Sequence, residues 1–325
     1  MHYFNSLVLV ALSLPLVAHS KSLYIDYSCT FKPGWNDYWQ ESLRLARRAG
    51  ERLDSATDTD FEAVFKRIFR TDKGSTQGQY VRGILKEFVD LSPVTDLKTS
   101  DIRVFCDNDR RWGSERPTGG WYDGTNELIF PLKPSCYKPG VLGRAYNGKT
   151  FDATDPTSPR AGHNPNRIVV VICDEAFKSG DGLPLRIDHH VEALDLNNVP
   201  IGILSYLVSA TIVHEFAHAL SYEPSTGEMR IRDLPDPQTA YGWKNSIQKP
   251  TDMAVNNADN YCYLTLWAVL ADMGYTLPRV NEPGLSAQDK QDREDAAVKG
   301  RLSRYLDITK RMLKSLKLVA RAFSA

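Results

Sequence analysis

The sequence predicts an α+β fold in which a helical layer packs on a small, mainly antiparallel sheet and one buried helix carries a His-Glu-x-x-His motif. Three observations lead there. Apolar residues recur at helical spacing in residues 39–53, 60–69 and 77–91. From Asp101 the character changes, and β-branched and aromatic runs at 102–106 (IRVFC), 127–132 (ELIFPL) and 168–173 (IVVVIC) are separated by Gly, Pro, Asn and Asp. Residues 201–222, entered after Pro200, then form the most apolar helical stretch of the chain.

The elements follow in order. Residues 7–17 (LVLVALSLPLV) have the length of a signal-peptide core, with small residues at Ala18 and Ser20, so cleavage is expected after Ser20. Eleven apolar residues are too few to span a bilayer. The three early helices make an N-terminal helical region over 21–100, with Thr59 and Asp60 as a plausible cap for the second. The three apolar runs read as strands of one small sheet. Residues 137–167, rich in Gly, Pro, Asn and Thr, read as a long surface loop that contributes to a cleft wall. A second buried helix is expected over 257–273. A C-terminal helical extension covers 281–325; Tyr305, Ile308, Met312, Leu316 and Val319 give its last helix an apolar stripe that packs on its own domain.

Composition excludes some partners. Lys plus Arg and Asp plus Glu number 40 each, so no net field draws the chain to nucleic acid or to an anionic membrane. A protein entering an oxidising compartment with five cysteines is expected to form two disulfides and keep one thiol. Cys106 and Cys173 both end strand-like runs and are the expected pair. Cys262, in the second buried helix, is the expected free thiol. No Asn-x-Ser/Thr sequon is present.

The chemistry lies in residues 211–218 (TIVHEFAH). Spacing of i and i+4 puts His214 and His218 on one helix face, able to share a metal, and Glu215 can reach a water bound to it. Burying such a set without a metal partner would be costly. Two imidazoles, one more protein ligand and an open position make a hydrolytic zinc site, with Glu215 as general base. No histidine follows His218, and the helix over 257–273 contains no Glu. An aspartate is therefore left as third ligand, with Asp233, Asp236, Asp252 and Asp259 as candidates. The cluster at 188–192 (DHHVE) is a rival in composition, but adjacent histidines point apart, and it is read as surface.

These blocks resemble the aspzincin family, the deuterolysin and peptidyl-lysine metalloendopeptidase group of secreted fungal zinc proteases. The resemblance rests on His214-Glu215-x-x-His218, on Ala240-Tyr241-Gly242-Trp243 and on Asn257-Ala258-Asp259-Asn260-Tyr261, in that order, over about 101–273. It implies a zincin-like domain over 101–280. It also implies Tyr241 as the group that stabilises the oxyanion, and an aspartate three residues before Tyr241 as the third zinc ligand. Gln238 stands at that place, so the resemblance departs there. Asp236, two residues earlier, is the preferred ligand, with the Gln238 carbonyl oxygen next. Asp259 is a candidate to orient a metal-bound histidine, although a plain helix cap fits its position equally.

The expected protein is a secreted, extracellular, monomeric zinc metalloendopeptidase with one Zn2+ per chain, acting on protein or peptide substrates. It would have no nucleic acid partner and no membrane attachment after signal cleavage. The alternative is a catalytically weak or inactive secreted zinc-binding protein on the same scaffold, suggested by Gln238. A further expectation is that the helices up to Leu91 act as an inhibitory pro-segment.

Overall fold

The computed structural model describes residues 20–115, 120–126, 128–130, 133–147, 167–178, 185–193, 195–235, 237–278 and 284–304. The expected signal segment at 7–17 and the apolar stripe from Tyr305 onward lie outside them. No helix among the described residues is long and apolar enough to cross a membrane.

Strands β1 (Ser22–Ile25), β2 (Ser92–Pro93) and β3 (Ile102–Phe105) begin the main sheet, and β4 (Trp112–Glu115), β5 (Trp121–Asp123) and β6 (Leu128–Phe130) form a separate antiparallel one. Strands β7 (Gly143–Asn147) and β8 (Ile168–Ile172) complete the main sheet in the order β2-β1-β3-β8-β7. Only β7 runs antiparallel to its neighbour; β1 with β2, β1 with β3 and β3 with β8 are all parallel. The expected mainly antiparallel single sheet is thus corrected on two points. The main sheet is mostly parallel, and the run at 127–132 belongs to the smaller sheet.

The physical reason is the length of the connections. Parallel neighbours need crossovers of a dozen residues or more, and here helices supply the crossover between β1 and β2. Strand β8 carried the signal: an unbroken apolar run means burial on both faces, as in a parallel sheet. Ile168, Val170 and Ile172 face the main core, and Val169 and Val171 face a smaller core with Phe105, Trp112 and Tyr146.

Helices α1 (Tyr27–Thr30), α2 (Trp35–Asp54), α3 (Thr59–Phe69) and α4 (Thr76–Val89) precede the sheet's second half. The cap of α3 is Asp58, whose carboxylate accepts from the Phe61 amide at 3.0 Å, one residue earlier than expected. Next come α5 (Ile187–Ala193), a 3-10 turn at Ile201–Tyr206, and α6 (Val208–Leu220); the predicted 201–222 helix is split at Leu207. Hairpin β9 (Tyr222–Glu223) and β10 (Glu228–Met229) follows, then α7 (Pro237–Ala240), α8 (Trp243–Gln248), α9 (Thr251–Ala254) and α10 (Ala258–Asp272). Strand β11 (Tyr275–Thr276), α11 (Ala287–Val298) and β12 (Ser303–Arg304) end the described chain. Residues 303–304, assigned to the terminal helix from sequence, pair with β11 instead.

Helices α6 and α10 are buried along nearly their whole length and pack against each other and against α2. Trp39 and Phe88 meet Phe216 at ring-centroid distances of 5.5 and 4.7 Å, and Phe61 meets Trp267 at 5.6 Å. The helices before Leu91 therefore share one core with the motif helix, and β1 sits inside the sheet between β2 and β3. Removing them as a pro-segment would take away a sheet strand and the aromatic wall behind α6.

The disulfides join Cys29 to Cys106 and Cys136 to Cys173, and Cys262 is free and buried. The number of bridges and the free thiol agree with expectation. The Cys106–Cys173 pairing does not: β3 and β8 are parallel neighbours, but each end is bridged to the segment packed beside it. In the 188–192 cluster His189 is exposed, while His190 is buried at 2% exposure, so the surface reading is corrected for His190.

Candidate metal centre

Helix α6 places His214 and His218 one turn apart, with ring centroids 4.9 Å apart. Each imidazole is fixed through Nδ1. His214 Nδ1 lies 3.1 Å from Asp259 Oδ1 on α10, and His218 Nδ1 lies 2.8 Å from the Ile231 carbonyl. Donation from Nδ1 to these oxygens leaves both Nε2 lone pairs facing the same point. The two Nε2 atoms are 3.2 Å apart.

The third group is Asp233. Its Oδ1 is 3.2 Å from His214 Nε2 and 3.4 Å from His218 Nε2, and these three residues form a group that could hold a metal ion. That oxygen is buried and makes no aligned hydrogen bond, so it converges with the imidazoles rather than bonding to them. Asp236, the preferred candidate from sequence, lies outside the described residues, as does the side chain of Gln238. Among the described residues, Asp233 is the one of the four candidate aspartates that joins the two histidines in such a group.

Local structure explains how Asp233 arrives there. The β9-β10 hairpin turns at Gly227 and folds the chain back onto the end of α6, where the Ile231 amide donates to Ser221 Oγ at 2.8 Å. Arg232 then bridges to Asn257 in parallel sense, with its amide donating to the Asn256 carbonyl at 2.8 Å. Asn257 accepts from the Leu234 amide at 3.1 Å, donates to the Ala240 carbonyl at 3.3 Å and reaches Asn260 Oδ1 at 2.8 Å. Its side chain does not cap α10. The Asn257 to Asn260 block thus clamps the loop that carries Asp233 and Tyr241, and the helix-cap reading of that block gives way to this one.

Asp259 serves two partners. One oxygen holds His214, and the other accepts from the Gly242 amide at 2.6 Å. Gly242 adopts φ +92°, a conformation open to glycine, which aims its amide at Asp259 directly after Tyr241. The Tyr241 ring stacks on His214 with centroids 5.7 Å apart, and its hydroxyl donates to Asp233 Oδ2 at 2.8 Å. Burial and the Asp233 carboxylate push the Tyr241 phenol well above its ordinary pKa, so it remains a donor at neutral pH.

Glu215 is buried beneath β7. A Cβ at Gly143 would lie 2.7 Å from Glu215 Cγ and 2.9 Å from Oε1, so the strand passes this close only because residue 143 has no side chain. Burial pushes the Glu215 carboxyl up, and the His214 and His218 imidazoles pull it back; among the described residues its Oε2 has no hydrogen-bond partner. Burial would lower the His214 imidazole, but Asp233 and Asp259 outweigh it and hold its pKa well above the usual value. Against the burial that would raise it, the imidazoles hold Asp233 far below the carboxylate range.

A cleft of about 520 Å³ opens over Glu215, His218, Asp233 and Tyr241 and is walled by β7 and the Glu228–Ile231 stretch. Within the expected 137–167 loop, residues 143–147 form strand β7 and wall the cleft, and residues 148–166 lie outside the described ones. Two residues of this wall, Gly143 and Arg144, were missed from sequence; the Gly-Arg-Ala-Tyr-Asn run at 143–147 has a central aromatic but too little apolar alternation to stand out. Compared with known proteins, no family model matches the chain and no curated protein matches it.

Proposed function

We propose that this protein is a secreted zinc-dependent endopeptidase with His214, His218 and Asp233 as metal ligands and Glu215 as general base. One observation carries the reading. The three ligand atoms make a triangle with edges of 3.2, 3.2 and 3.4 Å. Tetrahedral ligands about 2.0–2.1 Å from a zinc ion are separated by about 3.3–3.4 Å, so the donor set and its spacing both suit this ion. The fourth direction opens into the cleft beside Glu215 and Tyr241.

A zinc ion held there supplies a Lewis acid that lowers the pKa of water and polarises a carbonyl. The chain's own groups do the rest. Glu215, buried and uncommitted at Oε2, takes the proton of the attacking water and delivers it to the leaving amine. Tyr241, turning its hydroxyl hydrogen away from Asp233 Oδ2, donates it to the oxygen that becomes negative. Asp259 holds His214 in the tautomer that ligates. The aspzincin resemblance supports the same assignment of His214, Glu215, His218 and Tyr241. Two disulfides suit an oxidising, extracellular destination. The inactive zinc-binding alternative was suggested by Gln238, and with Asp233 supplying the carboxylate that suggestion loses its motive.

The test is hydrolysis of unfolded casein by protein purified from residue 21 onward. Cleavage is expected to stop with a zinc chelator and to return with about one equivalent of zinc. Activity untouched by exhaustive chelation refutes the reading. Asp259→Ala is expected to keep the fold and weaken zinc binding by about 10–100-fold, measured by competition with a chromophoric chelator. Unchanged affinity would remove the orienting role of Asp259.

A further inference from the structure

Two cations, Arg144 and Arg232, line the cleft, and the proposed chemistry uses neither. Of the charged side chains lining it, Glu228 and Arg232 pair with each other and Asp233 is committed to the two histidines. Arg144 is half-buried, and among the described residues it has neither a hydrogen bond nor an ion pair. It lines the same cleft as Glu215 and Tyr241. A guanidinium kept near a catalytic carboxylate without pairing to it is set to meet a carboxylate that arrives from outside.

The strand that carries it strengthens this. Among the described residues, strand β7 is the last strand of its sheet and pairs only with β8, so its other edge offers backbone groups to an extended peptide. Side chains alternate along it. Gly143 lies over Glu215 on the α6 side. Arg144 shares the opposite side with Tyr146, whose ring meets Phe130 at 4.9 Å. Phe130 and Arg144 both line the cleft, an apolar wall beside a cationic head. A peptide laid along this edge turns one side chain toward Glu215 and the metal group and the next toward Phe130 and Arg144.

Resting on the endopeptidase reading, we propose that Arg144 recognises a carboxylate of the substrate next to the cleaved bond, making the enzyme selective for acidic sequences. The carboxylate could belong to an Asp or Glu side chain or to a chain terminus, and the test separates these sources.

The experiment uses end-blocked fluorogenic peptides of one sequence, with Glu, Gln or Lys at each position flanking the cut, and a Gln peptide with a free C-terminus. Zinc-loaded wild type is compared with Arg144→Ala, Arg144→Lys and Arg144→Glu. In wild type, kcat/KM for the Glu peptide is expected to exceed that for Gln by about tenfold, the worth of one charge-assisted hydrogen bond. The ratio falls toward one in Arg144→Ala, is largely kept in Arg144→Lys and inverts in favour of the Lys peptide in Arg144→Glu. Preference for the free C-terminus alone assigns Arg144 to a terminal carboxylate. A Glu-to-Lys ratio unchanged in Arg144→Glu overturns the proposal while leaving the peptidase reading intact. If wild type cleaves none of the peptides, the peptidase reading fails. Fluorescence anisotropy of their binding then carries the same comparison, and equal binding of the Glu and Lys peptides overturns the subsite.

Discussion

Asp233→Ala is expected to abolish zinc binding, whereas Asp236→Ala leaves it in place. Asp233 Oδ1 closes the ligand triangle at 3.2 and 3.4 Å from the two imidazoles, and its other oxygen anchors the Tyr241 hydroxyl at 2.8 Å. Its loss leaves two neutral imidazoles with no anionic ligand, and it frees Tyr241 at the same time. Losing an outer partner of a ligand already weakens metal affinity about 10–100-fold, so losing a ligand itself should exceed that range. The measurement is zinc content after dialysis against a zinc-buffered solution, with circular dichroism to verify folding. About one zinc per chain in wild type and Asp236→Ala, and almost none in Asp233→Ala, is the expected pattern. The reverse pattern moves the third ligand to Asp236 and removes Asp233 from the site.

The choice between these two aspartates shows where the sequence stopped being legible. The motif helix could be read because a local rule defines it: i and i+4 imidazoles on an apolar helix need no tertiary information. The α10 helix, the early helices and the buried β8 run were legible for the same reason. Which aspartate returns to the histidines depends on how far the chain travels after His218, and that is set by the β9-β10 hairpin and the Arg232 to Asn257 bridge. Neither has a strong local pattern: β9 and β10 are two residues each. The resemblance pointed to the position three residues before Tyr241, where Gln238 stands, and so drew the reading to Asp236.

The sheet was misread through a related gap. Strand β1 is four residues long, lies beside the expected cleavage point and carries only one fully buried side chain, Leu23, so it escaped notice. Without β1 the sheet appears to start at β3, and the helical crossover that makes it parallel disappears from view. The same oversight made the early helices look separable, although Phe88 and Trp39 form the wall on which Phe216 of the motif helix rests. Asp259 was legible as an orienter of a metal-bound histidine, and His214 Nδ1 does lie 3.1 Å from it; the clamping role of Asn257 was not, because capping and clamping use the same side-chain chemistry and differ only in which backbone groups are near.

Glu215→Gln should separate metal binding from turnover. Glu215 is outside the ligand triangle, its Oε2 has no partner among the described residues, and its side chain lies against Gly143 in a space that an isosteric amide also fills. Glutamine cannot accept a proton from water, so the variant is expected to retain about one zinc per chain and its thermal stability, while kcat on casein or a fluorogenic peptide falls by about 10²–10⁴-fold, the usual share of a positioned acid-base group. KM should change little, since the group contacts the attacking water rather than the peptide. Gly143→Ala serves as a steric partner to this experiment: the added methyl would press on Glu215 Cγ and Oε1 and is expected to lower kcat without removing the carboxylate. Full activity in Glu215→Gln would exclude Glu215 as the base and leave only the metal group in place. Loss of zinc together with activity would instead mean that Glu215 supports the ligands, and the separation drawn between its role and theirs would fall.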